Sequence, residues 1–266
     1  MGTTQQEAAC RALNGCTLVF LHIPKAAGAT LRRILFRVYG RSACHWIKPS
    51  GAARLETMQE LREMSPARKR EMRVVTGHMH VGTLNGVLPQ PVLRVTVLRD
   101  PAERVRSQYQ YVRKLPEHPH FELAQAGFEA YAEASSPALD NLQTRLLAGG
   151  LRGDNRRPVD RAVTEVDLGR ALENLGLFAA VGVQERFGEA VDAMGRLLRW
   201  SEVPRVDDAH VEDVPLEIDA PMRALLFERN RFDAVLHREA HLRQDKLEAL
   251  ADQHGVPLAG ALGARG

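Results

Sequence analysis

The stretch TLVFLHIPKAAGATLRRILF, residues 17–36, constrains the fold more than any other part of the chain. Its first seven residues carry Leu18, Val19, Phe20, Leu21 and Ile23, an apolar run that reads as a strand buried on both faces. From Gly28 to Tyr39 the pattern changes. Leu31, Ile34, Leu35 and Val38 fall at i, i+3, i+4 and i+7, the spacing of an amphipathic helix. A buried strand that passes through a short turn directly into a helix is the first half of a βαβ unit.

The rest of the chain extends this alternation. ARLETMQELREM (53–64) has helical spacing at Leu55, Met58 and Leu61, and RVVTGH (73–78) reads as a short strand ending on Gly77. PVLRVTVLRDP (91–101) is a second buried strand, closed by Asp100-Pro101, with Pro101 suited to the first turn of a helix running to about Lys114. LFAAVGV (177–183) predicts another strand and ERFGEAVDAMGRLLRW (185–200) a helix, while residues 222 to about 251 are helical in pattern. Residues 147–160 and 201–221 read as loops, the second acidic and broken by prolines. The fold class is therefore α/β: a P-loop-like central parallel sheet flanked by helices, with a helical C-terminal part. A single domain over residues 1–266 is expected, with an N-terminal extension (1–16), a cofactor-binding and catalytic core (17–200), and an acidic loop with C-terminal helices (201–266).

Charge narrows the ligand. The net charge of +3 conceals 19 Lys and Arg against 7 Asp and Glu in residues 1–115, and 17 against 26 beyond. A basic half attracts anions. With only 5% aromatic residues and no basic stripe interleaved with them, nucleic acid is not the expected partner. No apolar run is long enough to span a membrane. The start lacks a secretory signal, and Gln6 breaks the myristoylation pattern behind Gly2. Cys10, Cys16 and Cys44 lack metal spacing and read as reduced thiols, so the expected location is cytoplasmic.

In an open parallel sheet the ligand lies beyond the carboxyl ends of the strands. Lys25 and the following Ala-Ala-Gly occupy that position, and the amides of residues 26–30 open a helix whose N-terminus suits phosphate. The order differs from a Walker A loop, because the lysine follows a proline and precedes the glycine. Arg99 stands at the end of the second buried strand and offers a planar fork for another phosphate; Ser107 lies two helical turns on. Arg104 and Arg106 read as a solvated helix face.

FLHIPKAAGATL and VLRDPAERVRSQY together resemble the two cofactor motifs of sulfotransferases that use 3′-phosphoadenosine 5′-phosphosulfate (PAPS). The resemblance is to the glycan branch, which includes heparan sulfate 2-O-sulfotransferase and its bacterial relatives. GHMHVG (77–82), DNLQTRLLAG (140–149) and VGVQERFGEAVDAMGRLLRW (181–200) follow in the order this branch has them. The resemblance implies that Lys25, Ala26, Ala27, Gly28, Ala29, Thr30 and Leu31 wrap the 5′-phosphosulfate, and that Arg99 and Ser107 take the 3′-phosphate. Ala26 and Ala29 stand where the family usually carries hydroxyls, which leaves Thr30 as the hydroxyl of the loop.

The same resemblance makes His78 the base for the acceptor hydroxyl and Lys25 the group that stabilises the leaving phosphate. The chemistry suits them: sulfuryl transfer resembles phosphoryl transfer, in which positioning and charge dominate, and imidazole titrates near neutrality. His80, two residues on, is a second candidate on the same side of an extended segment. His22 reads as a satisfied core histidine. Asn141, Gln143 and Arg145 are candidates for the acceptor cleft. No metal is expected, since the histidines at 118 and 120 have no carboxylates at ligand spacing. The expected activity is transfer of a sulfuryl group from PAPS to a hydroxyl, of a carbohydrate or glycan-like acceptor, with PAP (the 3′,5′-bisphosphate) as product. A nucleotide-dependent small-molecule kinase and a catalytically inactive nucleotide- or glycan-binding module are the alternatives.

Overall fold

The computed structural model describes residues 16–49, 51–149, 161–204 and 216–253. Cys10, residues 1–15 of the N-terminal extension and most of the two predicted loops (150–160 and 205–215) lie outside them. In chain order the elements are β1 (Thr17–Leu21), α1 (Gly28–Tyr39), β2 (Cys44–Ile47), α2 (Gly51–Glu63), α3 (Pro66–Glu71), β3 (Val74–Gly77), β4 (Val92–Leu98), α4 (Pro101–Val112), α5 (Phe121–Gln125) and α6 (Phe128–Glu133). They continue with α7 (Leu142–Leu147), α8 (Glu165–Leu175), β5 (Ala180–Val183), α9 (Phe187–Leu197), α10 (Ala220–Arg229) and α11 (Arg231–Gln253).

The strands form one sheet in the order β2-β3-β1-β4-β5, every pair parallel. This is the expected architecture: a central parallel sheet flanked by helices, with a helical C-terminal part. β1 is the middle strand, and all five of its residues are buried. Its side chains alternate between two cores: Leu18 and Phe20 pack with Leu31, Leu35, Val191 and Met194, whereas Val19 and Leu21 pack with Leu61, Leu147, Leu175 and Leu236. A strand that feeds a separate core from each face must be apolar throughout, which is why its sequence is a run rather than an alternation.

Because β1 lies between β3 and β4, the chain leaves β1 toward one side of the sheet and later returns to the other. The crevice at that reversal is where ligands bind in open α/β sheets. The turns after β1, β3 and β4 all open there.

Several boundaries differ from the sequence reading for local reasons. β2 was not expected; its four residues sit at the sheet edge with only alternate positions buried. α8 was also unpredicted, although Thr164 and Asp167 form a capping box at its start. A 3-10 turn at Gln184–Arg186 delays α9 until Phe187. The C-terminal helical tail is two helices broken at Asn230, whose fully buried side chain accepts a hydrogen bond from the Asn141 amide at 2.9 Å. α4 ends at Val112, and Arg104 on it is fully buried rather than solvated, donating to the Ala138 carbonyl at 2.9 Å.

Candidate functional site

The turn from β1 into α1 is bent by two non-glycine residues in the left-handed region, Lys25 (φ 66°) and Ala27 (φ 54°). Each such residue costs about 1–2 kcal/mol relative to ordinary backbone, and strain of this kind gathers where function requires a particular loop shape. Alternating handedness turns neighbouring amides toward one concave side. α1 has no side-chain cap and no acidic residue in its first turn. The amides of Ala27, Gly28 and Ala29 find no acceptor among the described residues. By contrast, Asp100 caps α4 by accepting from the amides of Ala102 and Glu103. Three unspent donors, the positive end of a helix dipole and a lysine make a cradle of the kind that can receive an anion.

Arg99 closes the cradle from β4. Its guanidinium donates to the Lys25 carbonyl at 3.1 Å, tying the strained turn to the neighbouring strand. Its backbone is clamped by Gln143, which accepts from the Arg99 amide at 3.0 Å and donates to the Arg99 carbonyl at 2.8 Å. Its Nε is buried without a hydrogen-bond partner, an unmet donor beside the turn. The Lys25 ammonium lies over the Tyr111 ring, 4.3 Å from its centroid. Ser107 is half-buried on α4. Thr30 is buried, and its hydroxyl receives a long contact of 3.5 Å from Arg33.

His22 is where the sequence reading needs correction. It is buried, as expected, but not satisfied: its Nδ1 has no hydrogen-bond partner. The ring stacks on Phe20, meets the His78 ring edge-on at 4.4 Å between centroids, and lies directly under the first residue of α1. A Cβ on Gly28 would stand 1.9 Å from His22 Cδ2 and 2.1 Å from Nε2. Gly28 is thus required by the imidazole beneath it, and helix propensity has no part in the choice. The short run HIPKAAG gives no hint of this contact, which exists only once the turn is folded.

His78 emerges at the end of β3, where Gly77 allows β2 to approach so closely that a Cβ would lie 2.3 Å from the Ile47 carbonyl oxygen. Burial brings the His78 imidazolium down to about 4, with Arg54, Arg32 and Lys25 adding repulsion. His22 is likewise held well below its ordinary value by burial, with His78, Arg32 and Lys25 contributing. Both rings are therefore neutral at pH 7. His80 is held by the fold: its Nδ1 donates to the Arg145 carbonyl at 3.1 Å, which orients the ring toward α7.

The three acceptor-cleft candidates are used by the fold. Arg145 is buried, donating to the Asp140 carbonyl and carboxylate and to the Arg161 carbonyl. Asn141 bonds to Asp140 and Arg229 and accepts from the amides of Phe232 and Asp233. Gln143 holds Arg99 as described. These residues shape the floor of the site and present little of themselves to an acceptor.

Mild acid should destabilise the protein through its buried imidazoles. Unfolded imidazoles take up protons near pH 6.5, while folded His78 resists until about 4. Between those values the unfolded chain binds more protons, so stability falls as pH falls. Denaturant titrations from pH 7 to 5 are expected to show this loss, reduced in His78→Gln. Equal pH slopes for the two proteins would show that His78 titrates normally in the fold.

One family profile, described as galactose-3-O-sulfotransferase, matches residues 3–208. The human protein named galactose-3-O-sulfotransferase 3 is 29% identical over 198 residues, covering 69% of this chain and 45% of that protein. The chain thus spans less than half the length of this curated relative. Among solved structures, a mouse sulfotransferase complexed with PAP aligns over 89% of this chain and 71% of its own, at 12% identity and a TM-score of 0.39.

Proposed function

Because the chain belongs to the galactose-3-O-sulfotransferase family, we propose that it is a sulfotransferase that uses PAPS to sulfate a carbohydrate hydroxyl. The observation that carries the reading is the cradle itself: three unspent amides at the start of α1, bent into place by Lys25 and Ala27 and braced by Arg99. These residues fit a nucleotide bearing phosphates at both ends of its ribose. The α1 amides and Lys25 would hold the 5′ side, and Arg99 with Ser107 the 3′-phosphate. PAPS supplies the sulfuryl group, bonded to a phosphate oxygen that must leave.

The protein's part is positioning and charge. Lys25 offsets the negative charge that develops on the leaving phosphate. His78, neutral at working pH, takes the proton of the attacking hydroxyl on a ring nitrogen. Burial is the main cause of its depressed basicity, with Arg54, Arg32 and Lys25 adding to it; anionic phosphates bound beside Lys25 would offset part of the cations' share and raise the imidazole. His78 is preferred over His80 because Lys25 acts on it directly and its ring abuts His22, under the first turn of α1. A galactose hydroxyl is the acceptor class to test first, since the family and the human relative carry that name. Cysteines 16 and 44 are free thiols, which fits a reducing compartment, and cytoplasmic action is part of the proposal.

The deciding experiment is thermal unfolding with PAP, with ATP and Mg²⁺, and with PAP in EDTA. PAP at about 100 times its Kd should add about 2.7 kcal/mol of stability, unchanged by the chelator, because amides and cations neutralise phosphate without an ion. Stabilisation by ATP with Mg²⁺ but not by PAP would move the protein to the kinase class. A PAP shift that vanishes in EDTA would overturn the metal-free cradle. With PAP binding established, labelled PAPS and a panel of galactosides tests the acceptor.

A further inference from the structure

A second group of chemically competent side chains lies at the carboxyl end of β5, separated from β1 by β4. α11 carries His237 and His241 one turn apart, which places both imidazoles on one helix face, their centroids 4.7 Å apart. The turn after β5 brings Glu185 to the same spot, where its Oε2 accepts from His237 Nε2 at 3.1 Å. One potential ligand atom from each of the three lies within 4.8 Å of the other two.

The arrangement is held from behind. Glu185 Oε1 accepts from the Asp100 amide at 2.8 Å. Gln244, less than one turn beyond His241, accepts from the Val183 amide at 2.7 Å and donates to the Arg186 carbonyl at 3.0 Å. Arg186 itself is engaged by Asp245 and Glu248.

We propose that Glu185, His237 and His241 bind a divalent transition-metal ion of the zinc type, which staples α11 to the turn after β5. Two imidazoles and a carboxylate are a zinc donor set, and three protein ligands leave a position for water. Tetrahedral bonds of about 2.0–2.1 Å place ligand atoms about 3.3 Å apart, a contraction that side-chain rotation supplies here. The side chains of His237 and Glu185 are 13% and 35% exposed, so the ion has a route in. Glu185 also accepts from the Asp100 amide, so the staple adjoins the turn after β4. The role assigned to the ion is structural, holding α11 to the turn after β5.

The test uses the untagged, metal-stripped full chain and Zn²⁺ alone. Calorimetry should give one equivalent bound. His237→Ala and His241→Ala should each weaken it by more than the roughly 10–100-fold that outer-shell partners are worth. Co²⁺ should give visible d–d absorption in the wild type that is lost in both variants. Zn²⁺ should raise the melting temperature of the wild type but not of the double variant. Melting in EDTA separates ligand loss from unfolding, and Glu185→Gln provides a third variant if either alanine protein is unstable. Equal Zn²⁺ affinity in wild type and variants, or no binding by the wild type, overturns the site.

Discussion

Gly28→Ala is expected to abolish PAP binding at ligand concentrations that saturate the wild type, and to lower the melting temperature. The added methyl would sit 1.9 Å from one atom of the His22 ring and 2.1 Å from another. That ring is hemmed in by Phe20 on its face and His78 at its edge. Overpacking a buried site costs about 1–3 kcal/mol, and relief must come from moving the start of α1, the part proposed to hold the anion. Gly28 does not have a left-handed φ, so the expected effect is purely steric and can be rescued. In Gly28→Ala/His22→Ala the space reopens, and stability should exceed the sum of the single effects, as expected for two groups in contact. A Gly28→Ala protein with wild-type melting and PAP affinity would show that His22 moves aside freely and that the two are not coupled.

His78→Ala should leave PAP affinity nearly intact and reduce turnover by about 10² to 10⁴, the usual worth of a general base. His80→Ala should cost less, because its ring is oriented toward α7 by the Arg145 carbonyl. The pH profiles carry further information. The acidic limb of kcat/KM reports the free enzyme and should lie close to the depressed value of about 4. The limb of kcat reports the enzyme with phosphates against Lys25, and it should lie higher. Both limbs should vanish in the His78 variant. An indispensable His80 beside a dispensable His78 would assign the base to the wrong imidazole.

The strand–turn–helix at 17–39 was legible because burial on both faces and helical periodicity leave separate marks in the sequence. The meeting of Lys25 and Arg99 was legible for a related reason: each follows a buried strand, and that position lies at the sheet's carboxyl edge. β2 left little mark, since a four-residue edge strand with alternate burial resembles loop. The polar residues of α7 were misleading because satisfaction of buried polar groups depends on partners distant in sequence. Asp233 illustrates this. Fully buried, it accepts from the amides of Gln143 and Thr144 and from the Thr144 hydroxyl, 89–90 residues away. His22 was undervalued for the same reason, as its significance rests on contacts with Gly28 and His78.

α11 also bears on the order in which the protein can be made. Its Leu236 and Ala240 complete the core on one face of the sheet, and Leu247 and Ala251 complete the core on the other. Its Asp233 caps α7, whose Gln143 clamps Arg99, and its Gln244 holds the last amide of β5. The cradle is encoded in the first hundred residues, yet its brace arrives near residue 244. A ribosome therefore makes more than a hundred further residues after Arg99 before the segment that braces it is available. Until then the basic N-terminal half is exposed without the acidic segment that balances it, and is vulnerable to polyanions.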